Sequence, residues 1–280
     1  MTRAVGPTVP MAAGFLEGPN GSLFLLEYSP PPDVAARGTV LLLSPFAEEM
    51  NRSRRLMAEL GRAMAMRGLN LFIPDLTGTG DSAGNLEDTD LERWQADIDF
   101  LCRHARAGHS GPLILSGIRF GALLAAGSAA CARSEIDGLL LIEPVTNGAR
   151  FLQQFLRLRI AAALGRGERE TGGALMARLE AGEILSISGY PLAPAMARTI
   201  KAAALADCPP PAGLRTAWVE IASETAESGE TRSRLPPSWQ ASEAVMVRRF
   251  TDRPFWTLPE PVAAPLLVAG IADLAAELVP

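Results

Sequence analysis

From Thr39 to Val145 the chain alternates between short apolar runs and amphipathic stretches, and this rhythm restricts the fold more than any other feature. Thr39-Val-Leu-Leu-Leu43 is a continuous apolar run of strand length. From Asn51 to Arg67, apolar residues at 56, 57, 60, 63 and 64 recur at helical spacing with arginines between them. Asn70-Leu-Phe-Ile73 is a second strand, ending at Pro74-Asp75 and followed by a polar turn over 77–85. The next helix has apolar positions 91, 94, 98, 101 and 105, and Thr89 with Glu92 forms a capping-box pattern at its start. Strands follow at Pro112 to Ser116 and Ile136 to Ile142. Strands that are apolar on both faces, alternating with helices, predict a mostly parallel sheet covered by helices on both sides.

The flanking segments fit around that core. Phe15-Leu-Glu17 and Ser22 to Tyr28 flank Gly18-Pro-Asn-Gly21, an opening β-hairpin. Residues 146 to about 213 break the alternation with helical patterns punctuated by Gly165, Gly167, Gly172, Gly173, Pro191 and Pro194. They read as a helical cap inserted over the strand ends. Alternation resumes with a strand at Thr216 to Ile221, an acidic stretch from Ser223 to Ser238, a strand near Ala244 to Phe250, and a closing helix from about Pro261. With 280 residues and 48% hydrophobic content, 1–280 reads as one α/β domain.

The strand beginning at Pro112 runs into Gly117-Ile-Arg-Phe-Gly121 and then into a small-residue helix, Ala122 to Ala130. This is the outline of a nucleophile elbow, G-x-S-x-G, in which a strained strand-to-helix turn thrusts its central side chain into a pocket. Here the central residue is Arg119. A guanidinium stays protonated and does not attack a carbonyl.

Five segments carry a more specific resemblance: Ser44-Pro-Phe-Ala-Glu-Glu-Met-Asn-Arg-Ser-Arg-Arg55, Asp75-Leu-Thr-Gly-Thr-Gly-Asp-Ser-Ala-Gly84, Gly117 to Ala122, Glu143-Pro-Val-Thr-Asn-Gly148 and Phe151-Leu-Gln-Gln-Phe-Leu-Arg-Leu-Arg159. Together they resemble the type 2 exosortase A system-associated hydrolases of the α/β-hydrolase superfamily, from about residue 15 to the C-terminus. The resemblance implies an α/β-hydrolase fold and an accessory role beside bacterial exopolysaccharide synthesis and the sorting of proteins with a C-terminal anchor signal. The hydrolase label of such a family rests on its fold, which does not by itself establish chemistry.

A Ser-His-Asp triad does not assemble from these residues. Ser116 lacks glycines at the flanking positions, and Ser128 lies in the helix after the turn. Both histidines, His104 and His109, precede the elbow strand, whereas pockets of open α/β sheets lie at the carboxyl ends. A six-residue strand spans roughly 20 Å, far beyond hydrogen-bond reach. Where a triad histidine is expected the chain reads Thr251-Asp-Arg-Pro-Phe-Trp256, so Phe255 or Trp256 fills that space apolarly. Glu224 and Glu227 stand where a triad acid would follow its strand, and read as a solvated loop.

Arg119, at a helix N-terminus, requires a counter-charge. Two readings stand side by side. In one, a carboxylate from Glu48, Glu49, Asp75 or Glu143 pairs with it and plugs the pocket. In the other, Arg119 grips an anion on a ligand, with Glu48, Glu49, Phe46 and Phe120 lining the site; a saccharide or acyl ligand is within that class. A third, catalytic option has Asp75 or Glu143 acting as general base beside Arg119, which an adjacent arginine disfavours by lowering the carboxylate pKa. Carboxylates at Glu48 and Glu49 would oppose a developing oxyanion.

The cap's Arg150, Arg157, Arg159, Arg166 and Arg169 stand beside Phe151, Leu152, Phe155 and Leu156. They read as an amphipathic helix with a solvated basic face, or as a contact for an anionic polysaccharide, a lipid headgroup or a partner protein, including an active hydrolase. A net charge of −5 argues against nucleic acid. Cys102, Cys131 and Cys208 are widely spaced with no C-x-x-C, so thiols in a reducing compartment are expected, with no metal and no cofactor. Met1 to Gly18 lacks a signal-peptide core, and Val262 to Val279 is interrupted by Pro265, Asp273 and Glu277. A cytoplasmic protein without a transmembrane segment is expected.

Overall fold

The computed structural model describes residues 8–131, 135–222, 234–240, 242–260 and 262–279. A β-hairpin opens it, β1 (Met11–Gly18) and β2 (Gly21–Tyr28), with Gly21 at φ 124° in the turn. Then β3 (Gly38–Leu43), α1 (Glu48–Ala65), β4 (Leu69–Pro74), α2 (Leu91–Gly108), β5 (Leu113–Ile118), α3 (Phe120–Ala130) and β6 (Gly138–Ile142) alternate as the periodicity predicts. Between β6 and the next long strand lie α4 (Gly148–Gly165), α5 (Gly172–Glu180), a short hairpin β7 (Leu185–Ile187) and β8 (Tyr190–Leu192), and α6 (Pro194–Ala202). The chain closes with β9 (Arg215–Ala222), α7 (Pro237–Gln240), β10 (Val245–Thr251) and α8 (Pro265–Leu278).

Eight strands form one sheet in the order β1-β2-β4-β3-β5-β6-β9-β10. Strand β2 runs antiparallel to β1 and β4; from β4 to β10 all pairings are parallel. This is the α/β-hydrolase fold. The fully buried central strands send alternate side chains to opposite faces. Val40, Leu42, Ile114 and Leu140 pack under α1 and α8, against Leu60, Met64 and Ile271. Leu41, Leu43, Leu115 and Leu141 face α2 and α3, against Ile98, Leu101 and Ala125.

Three local expectations change. Asp90, not Thr89, caps α2: its side chain accepts from the Glu92 and Arg93 amides at 3.1 and 3.0 Å. The hairpin within the cap replaces expected helix because Leu185, Ile187 and Leu192 alternate as buried residues around Ser188-Gly189, both at positive φ. The basic face of α4 is narrower than expected. Arg159 is drawn onto Glu170 at 2.8 Å, and Arg166, beyond the helix, pairs with Glu168 at 2.9 Å. Arg150 and Arg157 stay exposed. Glu224 and Glu227 lie outside the described residues, as does Pro261. Among the described residues no helix is long and apolar enough to cross a membrane.

Candidate functional site

The turn after β5 adopts the strained geometry its sequence predicts. Arg119 has φ 56° and ψ −115°, a conformation that side-chain-bearing residues rarely adopt. Its amide donates to the Ile142 carbonyl at 2.9 Å, and its carbonyl accepts from Ala122 and Val145, both at 3.1 Å. A Cβ on Gly117 would lie 2.2 Å from the Gly121 backbone, and one on Gly121 would lie 2.3 Å from the Leu43 carbonyl oxygen. Only glycine fits either place. Ala47 (φ 53°) and Glu143 (φ 46°) repeat the strained backbone just past β3 and β6, the neighbours of β5. Strain of this kind persists only where surrounding structure enforces it, and it gathers at functional rims.

The Arg119 guanidinium is held from three sides. Nε and Nη2 donate to the two carboxylate oxygens of Glu49, each at 3.2 Å. Nη1 reaches the Glu143 carbonyl at 3.5 Å. The guanidinium carbon stands 4.8 Å from the Trp256 ring centroid, in cation–π range. The side chains of Arg119 and Glu49 are only 14% and 23% exposed. Burial pushes the Glu49 carboxyl above its ordinary value, a desolvation effect that the Arg119 charge and hydrogen bond only partly offset.

Glu49 reaches Arg119 because α1 begins at Glu48, so both glutamates occupy a first helical turn, where the backbone N–H groups favour negative charge. The buried Phe255 and Trp256 lie on a single helical turn at Phe255–Thr257. Arg52 fastens that turn to α1 by donating to the Thr257 carbonyl at 2.6 Å while its Nε bonds Glu48 at 3.2 Å. Glu48 is thereby spent on Arg52.

The remaining candidate carboxylates are engaged elsewhere. Asp75 is buried beneath the turn at 77–85, where it accepts from the Asp81 amide at 3.0 Å and faces Arg54 at 3.9 Å. Burial raises its carboxyl as well, and Gly80 is so close that a Cβ there would lie 1.8 Å from Asp75 Oδ2. Glu143 commits its carboxylate to other partners, accepting from the Ile221 amide and Arg234 Nη2, both at 2.7 Å, and from Arg234 Nη1. Arg234 went unrecognised in the sequence, where it belongs to a stretch read as acidic loop. His104 and His109 pack on Phe72, and His109 faces Glu27 at 3.6 Å, before the start of β5.

Two cavities flank Phe46. One, of about 520 Å³, is lined by Arg119, Glu48, Glu49, Arg52, Trp256 and the α4 residues Phe151 and Phe155. The other, of about 290 Å³, lies between the 77–85 turn, α3 and the cap hairpin. Phe46 itself packs on Phe120, Phe151, Phe155 and Trp94 at centroid distances of 5.6, 6.0, 5.3 and 5.9 Å. The cap therefore rests directly on the elbow through aromatic contacts. Phe46 and Phe120 are brought to the site, and Phe151 and Phe155, legible only as the apolar face of α4, form its lid. Chemically the apex offers a fixed cation at a helix N-terminus, paired with one carboxylate. Among the described residues no cluster of three or more His, Cys, Asp or Glu side chains could hold a metal ion.

Comparison with known proteins agrees with this architecture. The family model described as Serine aminopeptidase, S33, matches residues 34–174, from before β3 to within α5. No curated protein sequence matches the chain. Est1E from Butyrivibrio proteoclasticus, in a structure with ferulic acid bound, superposes with a TM-score of 0.65 at 13% identity over 95% of this chain and 99% of that one. A thermophilic esterase from Thermogutta terrifontis gives 0.59 at 16% identity, over 96% and 100% of the two chains. An α/β serine hydrolase without lid from Xanthomonas campestris gives 0.56 at 17%, over 96% and 95%. At such identities the likeness is one of fold. With half of its length matched by the family model, the chain belongs to the serine aminopeptidase family of α/β-hydrolases.

Proposed function

We propose that this protein is a non-catalytic member of its family that binds an anionic ligand at the elbow. The observation that carries the reading is Arg119 at the strained apex, with its guanidinium over Trp256 and its counter-charge supplied by Glu49. A permanently protonated side chain cannot form an acyl-enzyme. An indole stands beside the guanidinium, and both histidines of the chain precede β5. A carboxylate, phosphate or sulfate arriving at Arg119 would meet the guanidinium and the positive N-terminal end of α3 together. Glu49 then acts as an internal stand-in for the ligand, held at a desolvation cost that its release relieves.

The resemblance to exosortase-associated hydrolases supplies a setting: an accessory component of exopolysaccharide synthesis or protein sorting, in the cytoplasm. Exposed Arg150 and Arg157 on α4 suit a protein or polysaccharide partner beside the lid. Hydrolysis through Arg119 with Asp75 or Glu143 is the weaker reading, because Asp75 is engaged by Asp81 and Glu143 by Arg234.

Turnover of ester and thioester substrates tests the reading, in the native protein and in Arg119→Ala and Glu143→Gln. Background rates in all three, with no labelling by a serine-directed fluorophosphonate, are expected. Turnover that both substitutions abolish would overturn it.

A further inference from the structure

We infer that the cavity behind Phe46 is a tail pocket for an unbranched alkyl or acyl chain. The ligand is then an amphipathic anion, its acidic head on Arg119 and its chain in this cavity. The inference rests on the anion-binding reading of Arg119 and adds the ligand's class.

The cavity, about 290 Å³, is lined by Phe46, Met50, Trp94, Phe120, Leu124 and Tyr190, with the polar Ser44, Thr79, Asn85 and Glu87 as its minority. At roughly 30 Å³ per water it has room for about ten waters, each needing two or more polar partners. Apart from Ser44, Thr79, Asn85 and Glu87, the side chains that line it do not supply them. Trp94 spends its ring N–H on the Thr77 carbonyl at 2.9 Å, and the Tyr190 hydroxyl oxygen accepts from the Asn51 side-chain amide at 2.6 Å. An apolar occupant fits the space better than water does.

The position of this cavity ties it to Arg119. Phe120 follows Arg119 in the chain and lines the tail cavity, whereas Arg119 lines the head cavity; Phe46 lines both. One aromatic ring thus lies between a charged chamber and a mostly apolar one. The Phe46 ring is hemmed in by Trp94, Phe120, Phe151 and Phe155. A slender chain passes if that ring rotates, whereas a bulky ring system would need the whole cluster dismantled. Met50, an unbranched and adaptable side chain, lets the wall follow the chain. The cap hairpin closes the far side: Tyr190 and Pro191 line the cavity, and the Tyr190–Asn51 hydrogen bond latches the hairpin to α1.

Calorimetric titration of the full-length protein with decyl sulfate, decanol and inorganic sulfate, all below any micelle-forming concentration, separates tail from head. Decyl sulfate should bind at least tenfold more tightly than either fragment. Across hexyl, octyl, decyl and dodecyl sulfates, each added methylene should tighten binding by about fourfold until the cavity is full, then no further. Leu124→Trp fills the cavity and should weaken decyl sulfate and decanol at least tenfold while leaving inorganic sulfate unchanged. Leu124→Phe, a milder filling, serves if the tryptophan variant does not fold, and should cut off the series at a shorter chain. Unchanged decyl sulfate affinity in a folded filling variant, or no saturable binding of decanol and decyl sulfate, would overturn the tail pocket. Arg119→Met tests the head separately. If it leaves both sulfates unaffected while decanol still saturates, the anion reading fails and the tail pocket stands.

Discussion

The Arg119 guanidinium carbon lies 4.8 Å from the centre of the Trp256 indole, a cation–π pairing at the apex of the turn between β5 and α3. The pairing is reciprocal. A histidine beside Arg119 would be discouraged from accepting a proton, whereas an aromatic face welcomes the cation. Trp256 also packs on Phe255 at 5.1 Å and is 7% exposed, so it belongs to the core as much as to the site.

Trp256→Ala should therefore lower stability by about 3–5 kcal/mol, from the lost ring volume and cation–π contact together. Urea unfolding measures it. A change within about 0.5 kcal/mol, typical of surface positions, would mean the ring does not pack as described.

Glu49→Gln removes the internal anion that competes for Arg119 while keeping an acceptor of similar shape. Inorganic sulfate should bind about tenfold more tightly to the variant at pH 8, a difference of roughly 1.4 kcal/mol. In the native protein sulfate affinity should rise as pH falls and Glu49 takes up its proton; in the variant this dependence should flatten. Equal affinities at pH 8 would separate Glu49 from the binding site.

Burial raises the carboxyls of Glu49 and Asp75 above their ordinary values of 4.5 and 3.8, so the folded protein binds more protons than the unfolded chain between the two values for each group. Their contribution to stability is complete below the ordinary values and is lost as pH rises through the raised folded ones. Glu49→Gln should gain stability relative to the native protein as pH increases from 4.5 upward. Parallel urea midpoints for the two proteins from pH 4 to 8 would contradict this.

Gly121→Ala places a Cβ 2.3 Å from the Leu43 carbonyl oxygen, a backbone atom of the central sheet that cannot step aside. A loss of about 3 kcal/mol or more is expected, read as a fall in melting temperature or in soluble yield. An unaffected melting temperature would show that the elbow is not held as tightly as these distances require.

Much of this architecture is legible in the sequence because it rests on local pattern. The continuous apolar runs at Thr39–Leu43 and Leu113–Ile118 announce buried strands, and Gly117 and Gly121 around Arg119 announce the sharp turn. The sequence narrows Arg119's partner to four carboxylates and no further, since the choice depends on contacts distant in sequence. Glu49 prevails because α1 starts at Glu48, ahead of the apolar periodicity that begins at Leu56. Glu143 is withdrawn by Arg234, 91 residues away, and no periodicity connects the two. Helix α2 hides a subtler point: Thr89 and Glu92 satisfy a capping pattern, yet the helix begins at Leu91, so Asp90 is the residue whose carboxylate reaches the first free amides. The tail cavity likewise has no sequence signature, because its walls come from the end of β3, the 77–85 turn, α2, α3 and the cap hairpin.

The central claim is that the elbow residue grips an anion instead of attacking a substrate, and equilibrium titration of inorganic sulfate into the native protein and Arg119→Met tests it most directly. Saturable one-to-one binding to the native protein, lost in a folded Arg119→Met variant, is the predicted result. Equal binding to both proteins, or none to the native protein even with Glu49 protonated at low pH, would contradict it.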